Sequence, residues 1–235
     1  FAKAFDKVPH RRLLHKLNFY GIRGNTLRWI ESWLKDRSQV VVLEGVGSDP
    51  APVVSGVPQG SVLGPVLCLL FINDLPNGIT STVRLFADDC VLYRNVQSYS
   101  DCLILQEDLN KLQLWEQTWL MKFNVTKCEL MRLSRHKHVN LVKHDYLLHG
   151  QFLEVENSAK YLGVTLTNTL DWSNHINNVS GKAIRTLGFL RRNLSFAPKK
   201  TRIMAYNTLV RPQVEYASPI WNPYTQTNIL KLEKV

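Results

Sequence analysis

The run Val62–Ile72 constrains the chain most. Its 11 apolar positions fall short of the ~20 that a membrane-spanning helix needs. They are also too uniformly apolar for an amphipathic surface helix, so the run reads as a buried helix. Gly60 precedes it and Pro76 follows it, as chain breakers should.

A length of 235 residues allows one large domain or two small ones. The apolar share of 45% can fill a core. A net charge of +10 with a pI near 9.5 favours a polyanionic partner, nucleic acid before an anionic membrane. Cys68, Cys90, Cys102 and Cys128 form no CxxC pair and read as reduced thiols of a nuclear or cytoplasmic protein. His136 and His138 lack a cysteine pair at zinc spacing. No signal peptide is visible. The chain starts at Phe1 and stops in KLEKV, so both ends are expected to be cut from a longer protein.

Residues 11–19 and 26–36 are predicted helices, separated by Gly21 and Gly24, with Leu27, Ile30 and Leu34 on one face. QVVVLE (39–44) and PVVSGV (52–57) are predicted strands joined by the turn VGSDP. Cys102, Leu105, Leu109, Leu112, Trp115 and Trp119 make a helical stripe, read as core. CELMRL (128–133) and KYLGVTLT (160–167) are predicted strands; RHKH and KHD between them read as loop or weak strand. Ile176, Val179, Ala183, Leu187 and Leu190 mark another helix, and a further one should start at Pro198. A boundary is expected near residue 170.

LFADDCVLY (85–93) places Asp88 and Asp89 at the expected tip of a hairpin. Adjacent carboxylates repel, and burial makes that worse. A divalent cation removes the conflict, and Mg²⁺ takes one or two carboxylates plus substrate phosphates. Taken alone, an Asp-Asp pair is more often a polar turn. Upstream, Gly56, Gly60 and Gly64 with Pro58 and Pro65 predict a rigid turn into the apolar helix, with glycines that let backbone approach a ligand. A tight turn alone does not account for Gln59 and Ser61 beside it.

FAKAFDKVPH, SGVPQGSVLGPVLCLLFINDL, FADDCVLY and KYLGVTL, in this order, resemble the reverse transcriptases of non-long-terminal-repeat retrotransposons, jockey-like long interspersed elements above all. The resemblance covers essentially the whole chain. It implies an α+β right-hand polymerase: a palm of antiparallel sheet packed on helices over residues 1–170, including a fingers-contacting segment, then a helical thumb over 171–235. It implies an RNA-directed DNA polymerase using two Mg²⁺ ions, with an RNA template, a DNA primer or target and deoxynucleoside triphosphates as partners and no membrane role.

By the same resemblance Asp88, Asp89 and Phe1 fall at the metal site, and Asp88 and Asp89 are catalytic. Ala4, Phe5 and Asp6 match the end of the family's D-x-x-x-A-F-D pattern. Phe5 would face the sugar, Lys3 and Ala4 would offer backbone N–H groups to the nucleotide, and Gln59 and Gly60 would line it. Lys127 would stand near the departing pyrophosphate as general acid, a role it shares with the plainer reading of a surface lysine. Tyr161, Leu162 and Gly163 would grip the primer end, beside the alternative of a core strand. The first Asp of the pattern would precede Phe1, so this stretch alone is expected to lack polymerase activity.

From His175 to Arg211 the basic residues are Lys182, Arg185, Arg191, Arg192, Lys199, Lys200, Arg202 and Arg211, with no Asp or Glu. Helices usually interleave signs, so this run points to phosphate contacts that carry no base specificity. Two other readings stand beside the polymerase. One is a non-enzymatic nucleic-acid-binding remnant of a decayed or domesticated element; the other is a relative of group II intron maturases. The uninterrupted Gln59 motif and the Asp88–Asp89 pair speak against the first, and QGSVLGP with KYLGV against the second.

Overall fold

The computed structural model describes residues 1, 3–134 and 142–235. In chain order it contains α1 (Ala4–Lys7), α2 (His10–Phe19), α3 (Gly24–Leu34), β1 (Ser38–Gln39), β2 (Val42–Leu43), β3 (Val46–Gly47), β4 (Ala51–Pro52) and α4 (Leu63–Ile72). Next come β5 (Thr82–Phe86), β6 (Asp89–Tyr93), α5 (Tyr99–Trp119), β7 (Glu129–Leu130), β8 (Leu147–Leu148), β9 (Gln151–Phe152) and β10 (Glu154–Val155). The chain continues with β11 (Ser158–Tyr161), β12 (Val164–Thr167), α6 (Ser173–Asn193), α7 (Lys199–Ala205), α8 (Arg211–Glu215), α9 (Ser218–Trp221) and α10 (Gln226–Glu233). The fold is α+β. The pairs β1–β4, β2–β3, β5–β6, β8–β9 and β11–β12 are antiparallel, and β7–β10 is parallel.

The chain divides into two compact units. The first holds Phe1–Cys128 and Val142–Leu153, and the second Glu129–Leu141 and Glu154–Val235. No described helix is long and apolar enough to cross a membrane.

In the first unit α4 packs as expected, but on one face only. Leu67, Cys68, Phe71 and Ile72 are buried with Leu13 and Leu17 of α2 and Ile30 and Leu34 of α3, while Val62, Val66 and Leu69 stay exposed. The spacing of three and four sorts these residues onto opposite sides. α5 starts where Ser98 and Asp101 form a capping box that satisfies its first-turn N–H groups. Its stripe is core: Cys102 and Leu112 are buried, and Trp115 and Trp119 pack against the α4 cluster.

Lys16 projects from the apolar face of α2. Its ammonium sits 3.8 Å from the Trp119 ring centroid, 4.7 Å from Trp115 and 4.6 Å from Phe71. It donates to Asp74 and to the Phe71 carbonyl, and Trp115 Nε1 also donates to Asp74, at 3.1 Å. A buried cation needs such partners. Asp108, fully buried on α5, accepts from the backbone N–H groups of Thr80 and Ser81 at 3.0 and 2.7 Å and so fixes the approach to β5.

Three expectations need correction. The 39–57 region is not two long strands. It is two short pairs, and its tight turn is Glu44–Gly45, both at positive φ, rather than VGSDP. Its valines find little to cover them: Val41, Val42 and Val46 remain exposed. The 128–133 strand shrinks to β7. KYLGVTLT is a hairpin turning at Leu162–Gly163 rather than one strand. The RHKH stretch, with His136 and His138, lies outside the described residues, and KHD has no regular structure.

In the second unit β12 packs on α6 through Val164, Ile176 and the buried Trp221. The α6 stripe is confirmed, with Ile176, Ala183 and Leu190 buried. A π-turn at Tyr206–Val210 separates α7 from α8. Pro198 caps α7 from outside, one residue before the helix.

Candidate active site

β5 and β6 pair over five positions, and the last pair is Phe86 with Asp89. The turn is therefore Ala87–Asp88, so the two aspartates do not share the tip. Asp88 is half-buried in the turn, and Asp89 is exposed as the first residue of β6. Ala87 takes a left-handed φ of 50°. A non-glycine residue there costs about 1–3 kcal/mol and persists where surrounding structure imposes it.

Phe1 contacts this turn. The Phe1 amino nitrogen donates to the Asp88 carbonyl at 3.1 Å, while the Phe1 ring stacks on Phe123 at 4.7 Å and leans on Trp115 at 5.9 Å. On α4, burial pushes the Cys68 thiol up to about 11, and the Asp88 carboxylate adds to that rise. Burial also raises the Cys90 thiol, on β6, to about 11. Neither thiol is poised as a nucleophile.

Among the described residues no three His, Cys, Asp or Glu side chains gather where they could hold a metal. Asp88 in the turn and Asp89 at the start of β6 are two consecutive carboxylates with hard-oxygen donors. That matches the one or two carboxylates that Mg²⁺ takes when phosphates complete its shell, and it does not match a closed all-protein cage.

The SGVPQG segment docks on α1. Gly56 N–H donates to Val8 O at 2.8 Å and Val57 N–H to Phe5 O at 2.7 Å. Ser55 Oγ donates to Asp6 O at 2.9 Å, and the His10 ring bonds Gly56 O at 2.7 Å. A Cβ on Gly56 would stand 2.7 Å from Asp6 O, at φ +91°. Gly64 is equally closed: a Cβ would clash with the Pro58 carbonyl. Gly60, at φ +79°, faces open space. Two of the three glycines therefore serve the protein's own backbone, and only Gly60 leaves room for a ligand.

Ser61 has a structural role after all. Its hydroxyl donates to Pro58 O at 2.7 Å and accepts the Gly64 N–H at 2.9 Å. The Gln59 amide donates to the Asp6 carboxylate at 2.8 Å. Ala4 is buried, backbone and side chain together, and packs in the core cluster of α2, α3 and α4. Lys3 is exposed at φ 51°, and Phe5 is half-buried against the core. Lys127 is exposed in the 3₁₀ turn Val125–Lys127.

The second unit carries the remaining candidates. Leu162 and Gly163, at φ 45° and 83°, form the turn of β11–β12, and Tyr161 is the last residue before it. Lys182, Arg185, Arg191 and Arg192 are exposed on α6, and Lys199, Lys200 and Arg202 on α7. Among the described residues these seven show no salt bridge, whereas Arg211 pairs with Glu215 at 2.6 Å. Sequence reasoning passed over Lys16 and Tyr216. The first had a signal: Leu13, Lys16 and Leu17 share a helix face. The second had none, because its partner is 54 residues away.

Residues 1–166 match the family described as reverse transcriptase (RNA-dependent DNA polymerase). The chain is 28% identical, over 98% of its length, to the RNA-directed DNA polymerase from mobile element jockey of Drosophila melanogaster. It is 28% identical, over 98%, to a probable RNA-directed DNA polymerase from transposon BS of the same species. It is 24% identical, over 91%, to a retrovirus-related Pol polyprotein from type-1 retrotransposable element R2 of Popillia japonica. The chain spans about a quarter of the length of the first two, 26% and 27%, and 36% of the third. With a family match over 166 of its 235 residues, the chain belongs to the reverse transcriptase (RNA-dependent DNA polymerase) family.

Proposed function

We propose that the chain forms the palm and thumb of an RNA-directed DNA polymerase of a non-long-terminal-repeat retrotransposon, with residues 1–170 as palm and 171–235 as thumb. One observation carries the reading. The segment that includes A-F-D is bonded at Asp6 to Gln59, at 2.8 Å, so two motifs 53 residues apart in sequence are tied together.

Asp88 and Asp89 would hold two Mg²⁺ ions together with the nucleotide phosphates, Phe1 lying beside them. Bound Mg²⁺ supplies charge neutralisation at the attacking and leaving oxygens. The Phe5 ring would screen the sugar position against a 2′-hydroxyl. Backbone N–H groups at Lys3 and Ala4 would meet the triphosphate, and Gln59 and Gly60 would line the base pair. Lys127, exposed and free to swing, would hand a proton to the departing pyrophosphate. Tyr161, Leu162 and Gly163 would bear the primer end, and the basic residues of α6 and α7 would follow the duplex backbone. A nuclear and cytoplasmic setting accords with such a polymerase.

The test is RNA-templated incorporation of deoxynucleotides onto a DNA primer by a full-length polymerase carrying this chain. Mg²⁺-dependent extension is expected. Duplex binding without extension would favour the non-enzymatic remnant.

A further inference from the structure

Tyr216 ends α8, its N–H donating to Pro212 O at 3.1 Å. The residue is 57% exposed. Yet its hydroxyl donates to the Leu162 carbonyl at 2.9 Å, and its ring closes on Gly163. A Cβ at Gly163 would stand 3.0 Å from Tyr216 Cε1, at a φ of +83° that already disfavours one. One aromatic side chain thus holds both residues of the β11–β12 turn.

Tyr216 is itself held from behind. Trp221 Nε1 donates to the Tyr216 carbonyl at 2.8 Å. The Trp221 ring, 1% exposed, meets His175 edge-on at 5.1 Å. His175 Nδ1 accepts the Thr165 N–H at 3.1 Å, and Thr165 lies in β12. The path from turn to Tyr216, Trp221, His175 and back to the same hairpin is closed. A hairpin of four pairs would flex at its tip; this circuit ties the tip to the helices.

We infer that Tyr216 is a positioning residue for the Leu162–Gly163 turn, setting where that turn presents its backbone. The inference rests on the polymerase reading above, in which the turn bears the primer 3′ end. A reacting hydroxyl displaced by about 1 Å can lose about 10²-fold in rate, so a loosened turn should slow chemistry before it weakens binding.

The experiment is single-turnover extension by the full-length polymerase with Tyr216→Phe and Tyr216→Ala. Tyr216→Phe keeps the ring beside Gly163 and removes only the hydroxyl. The expected result is a several-fold lower rate of the first incorporation, with melting temperature, primer–template affinity and KM for the nucleotide unchanged. Tyr216→Ala should lose more. Wild-type extension by Tyr216→Phe, or a loss that tracks a lowered melting temperature, would overturn the positioning role and leave the polymerase reading standing. If the wild-type protein bound duplex and did not extend, the polymerase reading would fail and this role with it.

Discussion

The Gln59 amide donates to the Asp6 carboxylate at 2.8 Å, which fixes a proposed nucleotide-lining residue to the segment that carries Phe5. The bond is exposed and should be worth about 0.5–1.5 kcal/mol. Asp6→Ala should therefore raise KM for the incoming nucleotide about 2- to 10-fold, with duplex affinity unchanged. Steady-state kinetics against each nucleotide checks this. An unchanged KM would mean that Gln59 works without Asp6.

Gly56 and Gly64 answer to packing rather than to ligand. Gly56→Ala would set a Cβ 2.7 Å from Asp6 O at φ +91°. Overpacking and backbone strain together should cost about 1–3 kcal/mol. Gly60→Ala meets nothing within 4 Å and should cost only the strain of its φ. Denaturant melts of the two variants should rank Gly56→Ala well below Gly60→Ala. Equal loss would contradict the docking of the 55–59 segment on α1.

Lys16 makes stability depend on alkaline pH. Burial lowers its pKa from 10.5 to about 8, against the raising effect of Asp74. Between those values the unfolded chain holds the proton and the folded chain does not, so stability rises with pH across about 8 to 10.5. Lys16→Met keeps the stem among the three rings and removes the charge. It should flatten that rise, as chemical denaturation at pH 7 and pH 10 will show. An unchanged slope would place the titration elsewhere.

The exposed cations of α6 and α7 predict a steep salt dependence. If six contact phosphates, log K for duplex binding should fall with log salt at a slope of about −5. Arg185→Gln should reduce the slope by about 1, evenly across sequences. A slope near zero would remove this surface from the interface.

What the sequence made legible was periodic or contiguous. α2, α3, α5 and α6 announce themselves because apolar residues recur at three and four. The Asp88 turn and the Gln59 segment announce themselves because their chemistry lies within a few neighbouring residues. The valine-rich 39–57 region misled, since β-branching promised strands where docking onto α1 and a Glu44–Gly45 turn decide the path. Ser61 misled in the other direction, its hydroxyl being spent on Pro58 and Gly64. The Lys16–Asp74 and Tyr216–Leu162 pairs are 58 and 54 residues apart, and no local pattern encodes them.

The central claim is that Asp88 is a metal-holding carboxylate of a polymerase. It is tested most directly by Asp88→Asn in the full-length polymerase, scored by Mg²⁺-dependent RNA-templated primer extension beside duplex affinity and melting temperature. Extension should fall by at least about 10³-fold, as befits loss of a group acting on transition-state charge, with affinity and stability unchanged. Extension at the wild-type rate would contradict the account.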